Sequence, residues 1–434
     1  MSDHSFEREQ RNALYFLSAI CMVFMTLAIA VQPLFLRNVL DISFETAGAV
    51  NASVQVVTEI LDLALIFYLG YLSDRFGRVP IATIGFLVAA LGALLAPASA
   101  QIGVWTGIGG LAFYYIMRII MSLGTGAVWP QISALAGDGT DFDNRPRFMA
   151  NMAFMMALGG TLVYAILMQM PQYTGYIVVM VLTAGVALIG AYVSHRCLVD
   201  IAPKLEKKAF PWKRILEHLK KDDRLRLSFA SAFFARADMV FIGLFLMMWF
   251  IYFADLVKIE QEVAAAEAGS LIGLVGIVVL VSLPAWGRAI EVMGRVKTLA
   301  LGMAFSGVGF VGLGFIVNPF EWEIVPFLVL AALGQAGCLV APQVLTIDLT
   351  PKDIRGSMLG MFNVVGGIGI VIFVQIGGFL FDHIGPHAPF VLIGVANFAV
   401  VTYGIWVLRG DGTDEQICED TLEDGEDINK VFEQ

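Results

Sequence analysis

Five ionisable residues stand inside long apolar runs of this chain: Glu59, Asp62, Arg118, Arg236 and Asp238. A charge at the centre of a lone membrane helix costs at least about 2.5–3.5 kcal/mol, so such groups pair, face protein or line a water-filled path. Glu59 and Asp62 share one helical stripe with Asn51, Gln55 and Thr58, at spacings of three and four. A carboxylate there can bind a cation, or take up and release a proton. The alternative is that Glu59 or Asp62 merely neutralises Arg118, which belongs to the same half of the chain. Glu59, nearer mid-membrane, is the better candidate for ion binding. Arg236 and Asp238 are two apart on a helix, so they point in different directions and each needs its own partner. Gln131 and Gln343, with Trp129 and Gln335, are further candidates for lining a cavity. Acid exceeds base among the five charges, which favours a cationic or proton-linked ligand over an anion.

The elements that must position these groups are membrane helices. Of the 434 residues 58% are apolar and only 15% charged, against roughly 45–50% and 25% in soluble domains. Twelve runs have about the 20-residue length that crosses a bilayer. They cover 13–33, 47–72, 79–97, 106–135, 148–170 and 175–194, then 227–253, 269–286, 298–317, 324–349, 358–380 and 389–408. The first ends in Ala28-Ile29-Ala30, shaped like a signal-peptide cleavage site, but removing it would break a six-plus-six symmetry. With both termini on one side, 23 of the 27 lysines and arginines fall in loops of that side, ten of them between Arg196 and Arg226. The opposite loops carry Arg37 and Lys258 alone. The positive-inside rule therefore puts both termini in the cytoplasm. The chain divides into a bundle at 1–195, a basic cytoplasmic connector at 196–226, a second bundle at 227–409 and an acidic tail at 410–434. The connector contains a basic amphipathic stretch suited to the inner leaflet. Ten acidic residues against one lysine keep the tail from folding alone, and it can dock a protein partner.

The halves repeat. Residues 70–78 read Gly-Tyr-Leu-Ser-Asp-Arg-Phe-Gly-Arg, and 217 positions later the skeleton returns: Gly70, Asp74, Gly77 and Arg78 correspond to Gly287, Glu291, Gly294 and Arg295. Duplication on that scale marks a chain built from two homologous bundles. Gly70, Leu72, Asp74, Arg75, Gly77 and Arg78 resemble the signature between the second and third helices of the major facilitator superfamily. Pro130-Gln131 in the fourth run is answered by Pro342-Gln343 in the tenth. Gly377-Gly378-x-Leu380-x-Asp382-x-x-Gly385 leads into the twelfth run as in many members. The resemblance covers residues 13–408. It implies an all-α membrane protein of two six-helix bundles and secondary transport of a small solute or ion by alternating access. It also implies that Asp74 latches the cytoplasmic side against the start of the eleventh helix, with Glu291 acting less strictly against the fifth. The turn Thr350-Pro351-Lys352-Asp353 reads as a capping box with proline at N1, a fitting partner for Asp74. In many members Arg118, followed by Ser122, Gly124 and Gly126, would sit beside the proton or substrate path.

Other chemistry is excluded or weak. No phosphate loop, nucleophile elbow or zinc motif occurs, which argues against an ATP-driven pump, an enzyme, a cofactor or nucleic-acid binding. Met149, Met152, Met155 and Met156 cluster in the fifth run, where thioethers usually fill gaps between helices. Cys21, Cys197, Cys338 and Cys418 share no extracytoplasmic location, so no disulfide is expected. The Gly-Pro of drug–proton antiporters is missing before Gly159-Gly160. The strings at 11–18 and 122–131 are similar to the magnetosome permeases of magnetotactic bacteria, which implies iron transport in an inner or derived intracellular membrane. A metabolite or drug transporter, or a membrane sensor or scaffold, are the alternatives.

Overall fold

The computed structural model describes residues 8–140, 145–200, 212–351 and 354–410. Twelve helices in it are long and apolar enough to cross a membrane. In chain order they are α1 (Arg8–Ala30), α2 (Phe44–Phe76), α3 (Arg78–Leu95), α4 (Gly110–Asp138), α5 (Arg145–Ala165) and α6 (Tyr176–Cys197). The second six are α7 (Asp223–Val257), α8 (Gln261–Met293), α9 (Arg295–Leu313), α10 (Ile324–Asp348), α11 (Arg355–His383) and α12 (Ala388–Arg409). The first six pack as one bundle and the second six as another, with α2 against α11 and α5 against α8 along the seam between them.

The repeated hairpins are turned by glycine. Gly77 at φ 100° and Gly294 at φ 83° each end one helix and start the next, in a backbone region that side chains avoid. Short helices at Gln32–Asn38 and Ser99–Thr106 cap the face opposite the termini. α7 is not one regular helix. It is α-helical over Asp223–Ala235, turns at Arg236 and Ala237, resumes for Asp238–Val240, widens to a π-helix over Phe241–Leu246 and returns to α over Met247–Val257. Asp222 caps its start by accepting from the backbone N–H groups of Arg224 and Leu225.

Several helices outrun the hydropathy windows: α2 reaches Phe76 and α8 occupies Gln261–Met293, because polar ends continue the helix beyond the apolar core. The expected start of the eleventh helix at Pro351 is corrected. The helix begins at Arg355, and the Thr350 hydroxyl donates to the Thr346 carbonyl, while Lys352 and Asp353, the residues it would cap, lie outside the described residues. In the connector, helix Trp212–Lys221 buries Ile215 against Leu225, Phe229 and Met358, so its apolar stripe meets the ends of α7 and α11. The acidic tail beyond Gly410 lies outside the described residues.

Candidate functional site

The seam is closed on one side. In the half away from the termini, Asp382 on α11 accepts from the backbone N–H groups of Gly48 and Ala49 on α2, at 2.6 and 2.8 Å. Arg37 pairs with Asp255 at 2.9 Å, Asn38 donates to Glu262, and Tyr252 donates to the Ile42 carbonyl. Gln169 joins α8 through the Ala266 carbonyl and Ser270. Tyr164 adds a further bond between the bundles by donating to the Gly243 carbonyl. In the terminal half, by contrast, a side chain added at Gly356 or Gly360 on α11 would meet nothing within 4 Å. α11 is exposed at both positions.

Further along the seam three helices bring polar groups together. Arg236, at the break in α7, is exposed and donates through Nη1 to Asn363 Oδ1 on α11 at 2.9 Å. Glu59 on α2 is half-buried, with Oε1 beside Gly367 of α11, next to Gly366, against which the Arg236 side chain of the other bundle lies. A carboxylate, a guanidinium and an amide from both bundles therefore converge on one stretch of α11. That arrangement can coordinate a cation, exchange a proton or hold a small polar solute.

One turn deeper into the amino-terminal bundle, Asp62 Oδ2 accepts from Ser122 on α4 at 2.7 Å, while Oδ1 is buried beside Gly126 with no hydrogen bond. Arg118, 5% exposed, makes no ion pair among the described residues and its Nε has no partner. Its guanidinium lines a narrow cavity of about 10 Å³ with Tyr114, Met121, Met180 and Thr183, room for about one water. Arg118 thus stands near Asp62 but is not bonded to it, and the arginine on the stretch of α11 that Glu59 meets is Arg236.

Asp238 is placed apart from both groups. It is 0% exposed within the carboxyl-terminal bundle and is bonded to Ser306 on α9 and Asn397 on α12. Gln131 is buried on α4 and Gln343 half-buried on α10.

Of the hairpin residues, Arg75 lies over the Phe76 ring and Glu291 is exposed. Arg295 pairs with Asp348 at 2.9 Å. The Asp74 carboxylate, like Lys352 and Asp353, lies outside the described residues, as do the side chains that open α5. Asp200, which the sequence reading did not single out, accepts from the backbone N–H groups of Arg78 and Val79 at 2.8 and 3.2 Å. It caps α3, and its position just past the sixth span, among otherwise basic residues, was the available signal. Asn363 was also missed. It is the lone asparagine in an apolar, glycine-rich helix, a pattern that could have marked it.

The bundle pairing, the repeated hairpins and the buried charges together describe a transporter scaffold. The family model of the major facilitator superfamily matches residues 14–261 and again 239–423. The chain belongs to that superfamily of membrane transporters. It is 60% identical over 405 residues to the magnetosome protein MamH of Paramagnetospirillum magneticum, covering 93% of this chain and 94% of that one. It is 40% identical over 416 residues to the magnetosome protein MamZ of the same organism, covering 94% of this chain, which spans only 64% of that relative's length. Among solved structures, the nucleoside transporter NupG superposes with a TM-score of 0.69 at 13% identity, covering 92% of this chain and 99% of that one. A POT family transporter bound to a thioalcohol-conjugated peptide gives 0.70 at 12%, covering 92% and 96%. These two likenesses concern the fold.

Proposed function

We propose that the protein is a proton- or cation-coupled secondary transporter that moves a cation, iron foremost, across the cytoplasmic membrane or a magnetosome membrane derived from it. The observation that carries this reading is the convergence on α11 of Glu59 from one bundle and of Arg236, bonded to Asn363, from the other. A secondary transporter needs its ligand groups at the repeat interface near mid-membrane, reached from one side at a time. The excess of intramembrane carboxylates favours a cation, and 60% identity to a magnetosome protein supports the magnetosome membrane.

In this reading the terminal face is cytoplasmic and the structure is inward-facing. Glu59 and Asp62 carry the coupling ion in turn. Asp62 has one oxygen held by Ser122 and one free to receive it. Arg118, fixed beside Tyr114, tunes that exchange through its charge, while Gln131 and Gln343 line the path. Asp74 with Arg75 and Arg78, and Glu291 with Arg295, gate the cytoplasmic side between Gly70–Gly77 and Gly287–Gly294. The acidic tail is a docking segment for a protein partner.

The test is uptake into proteoliposomes, with ferrous iron, other divalent metals, sugars, amino acids and drugs offered in parallel with and without a pH gradient. Gradient-stimulated ferrous uptake is expected. Uptake of a sugar or amino acid with no response to any metal would overturn the assignment of substrate.

A further inference from the structure

Asp238 poses a problem that the seam between the bundles does not solve. Its carboxylate is fully buried, and no lysine, arginine or histidine pairs with it among the described residues. Its neighbours are neutral. Ser306 Oγ on α9 donates to Oδ2 at 2.6 Å, and Asn397 Nδ2 on α12 donates to Oδ2 at 3.1 Å and more weakly to Oδ1 at 3.3 Å. The same Nδ2 reaches Ser306 Oγ at 2.9 Å, so three helices converge on one small polar knot. Removing a carboxylate from water without a counter-charge costs several kcal/mol even after relaxation. Two neutral donors do not offset that.

The knot contains its own answer. Asn397 Oδ1 is buried with no hydrogen-bond partner, although it belongs to a side chain whose other end makes every contact available. The oxygen and nitrogen of an amide are interchanged by a half-turn, and which one faces the carboxylate follows the hydrogen-bond network. With the carboxylate ionised, the NH₂ end must face it, and the amide oxygen is orphaned. With a proton on Asp238, the oxygen end can turn in and accept from the acid O–H. Each state is served by one orientation of the same side chain.

The backbone at Asp238 is also the least regular of any spanning helix. α7 breaks at Arg236 and Ala237, and the π-helical stretch begins at Phe241, three residues after Asp238. Such widened turns recur where a helix changes register. Arg236, two residues before Asp238, is exposed and aims away at Asn363, so the break joins the buried carboxyl to an exposed side chain. The other groups packed about this part of α7 are few. Cys338 on α10 is the titratable neighbour coupled to Asp238, with its thiol on Met303. From α5, the Tyr164 hydroxyl meets the Gly243 carbonyl. From α11, Gly377 faces Phe241 and Phe245.

We propose that Asp238, Ser306 and Asn397 form a second proton-binding site, inside the carboxyl-terminal bundle, with the Asn397 amide as its reader and the irregular segment of α7 as the part that responds. The proton comes from solvent through the break at Arg236 and returns by the same route. This site is distinct from Glu59 and Asp62 and does not depend on what is transported.

The test is infrared spectroscopy of the protein in lipid nanodiscs, with carboxyl-labelled aspartate so that Glu59 is silent, in an Asp62→Asn background. A carboxylic-acid C=O band is expected that appears on acidification, disappears on alkalinisation and is lost in Asp238→Asn. In Asn397→Leu the amide that stabilises the ionised form is gone, so the band should persist across the whole pH range. A band in the parent that never titrates, or no Asp238 band at any pH, overturns the proposal. Because the labelled Asp62→Asn protein itself supplies that reading, failure of either further variant to fold leaves the test standing. Failure of metal uptake in liposomes would bear on the substrate and leave this site untouched.

Discussion

Asp382 and Gly48 join the two bundles by a side chain gripping a backbone: the carboxylate at the end of α11 accepts the N–H near the start of α2 at 2.6 Å. Ala49 adds a second bond to the same group. The seam half away from the termini is therefore held by a negative charge at a helix N-terminus, where the partial positive charge of the helix end favours it. Asp382→Asn keeps the size but removes the charge. Hydrogen bonds to charged groups are worth about 1.5–3 kcal/mol, so the closed population of this face should fall roughly tenfold. Labelling of a cysteine placed at Gly360, exposed in the terminal half, should slow correspondingly; an unchanged rate would show that the bond does not hold the seam.

Asp74→Asn should act with the opposite sign. If Asp74 latches the terminal face when that face closes, its loss favours the arrangement seen here, by about 0.3–2 kcal/mol and so severalfold in population. The double variant Asp74→Asn/Asp382→Asn should then label at a rate nearer the parent than either single variant. Two shifts in the same direction would refute the pairing of latches.

Close packing at Gly378 makes a steric test. A Cβ added there would lie 2.5 Å from the Ala52 Cβ and 2.6 Å from the Gly48 carbonyl oxygen. Both are backbone or near-backbone atoms that cannot move aside. Gly378→Val should wedge α2 from α11 and leave the protein folded but open on the face away from the termini, measured by spin-label distances across the seam.

For coupling, Glu59→Gln preserves volume and hydrogen bonding but removes the titration. Accumulation against a gradient should fail while downhill flux or exchange survives, and Asp62→Asn should behave alike. If both variants concentrate substrate as the parent does, these carboxylates are structural.

Loss of the α3 cap is a question of stability alone. Asp200→Ala removes the acceptor for the Arg78 and Val79 N–H groups. A lost N-cap costs about 0.5–2 kcal/mol, so a lower melting temperature in detergent is expected, with transport otherwise intact.

How far the sequence could be read follows from where each signal resides. Hydropathy marks the spans because apolar length is local, and the hairpins at Gly77 and Gly294 are legible because a left-handed turn demands glycine. The charges Glu59, Asp62, Arg118, Arg236 and Asp238 stand out against apolar neighbours for the same reason. Their partners do not. Ser122 lies 60 positions from Asp62, and Asn397 lies 159 from Asp238, so no spacing rule joins them. The break in α7 was invisible too, since neither proline nor an unusual run of glycine marks 236–246. Among the segment's neighbours, α1 and α12 lie far from it along the chain. The start of α11 was placed four residues early, because proline and a threonine mark a turn but not which residue after it begins the helix.

The distance along the chain between Asp238 and Asn397 also sets a schedule for biogenesis. α7 leaves the ribosome with a carboxyl group near its middle, and Ser306 and Asn397 follow 68 and 159 residues later. At about 5–20 residues per second, α12 arrives on the order of ten seconds or more after α7. Through that interval the membrane insertion machinery must retain a helix whose acidic residue has no partner of its own. The carboxyl-terminal bundle therefore cannot mature helix by helix; it waits for its last span, and chains truncated before Asn397 should be recognised as unassembled and degraded.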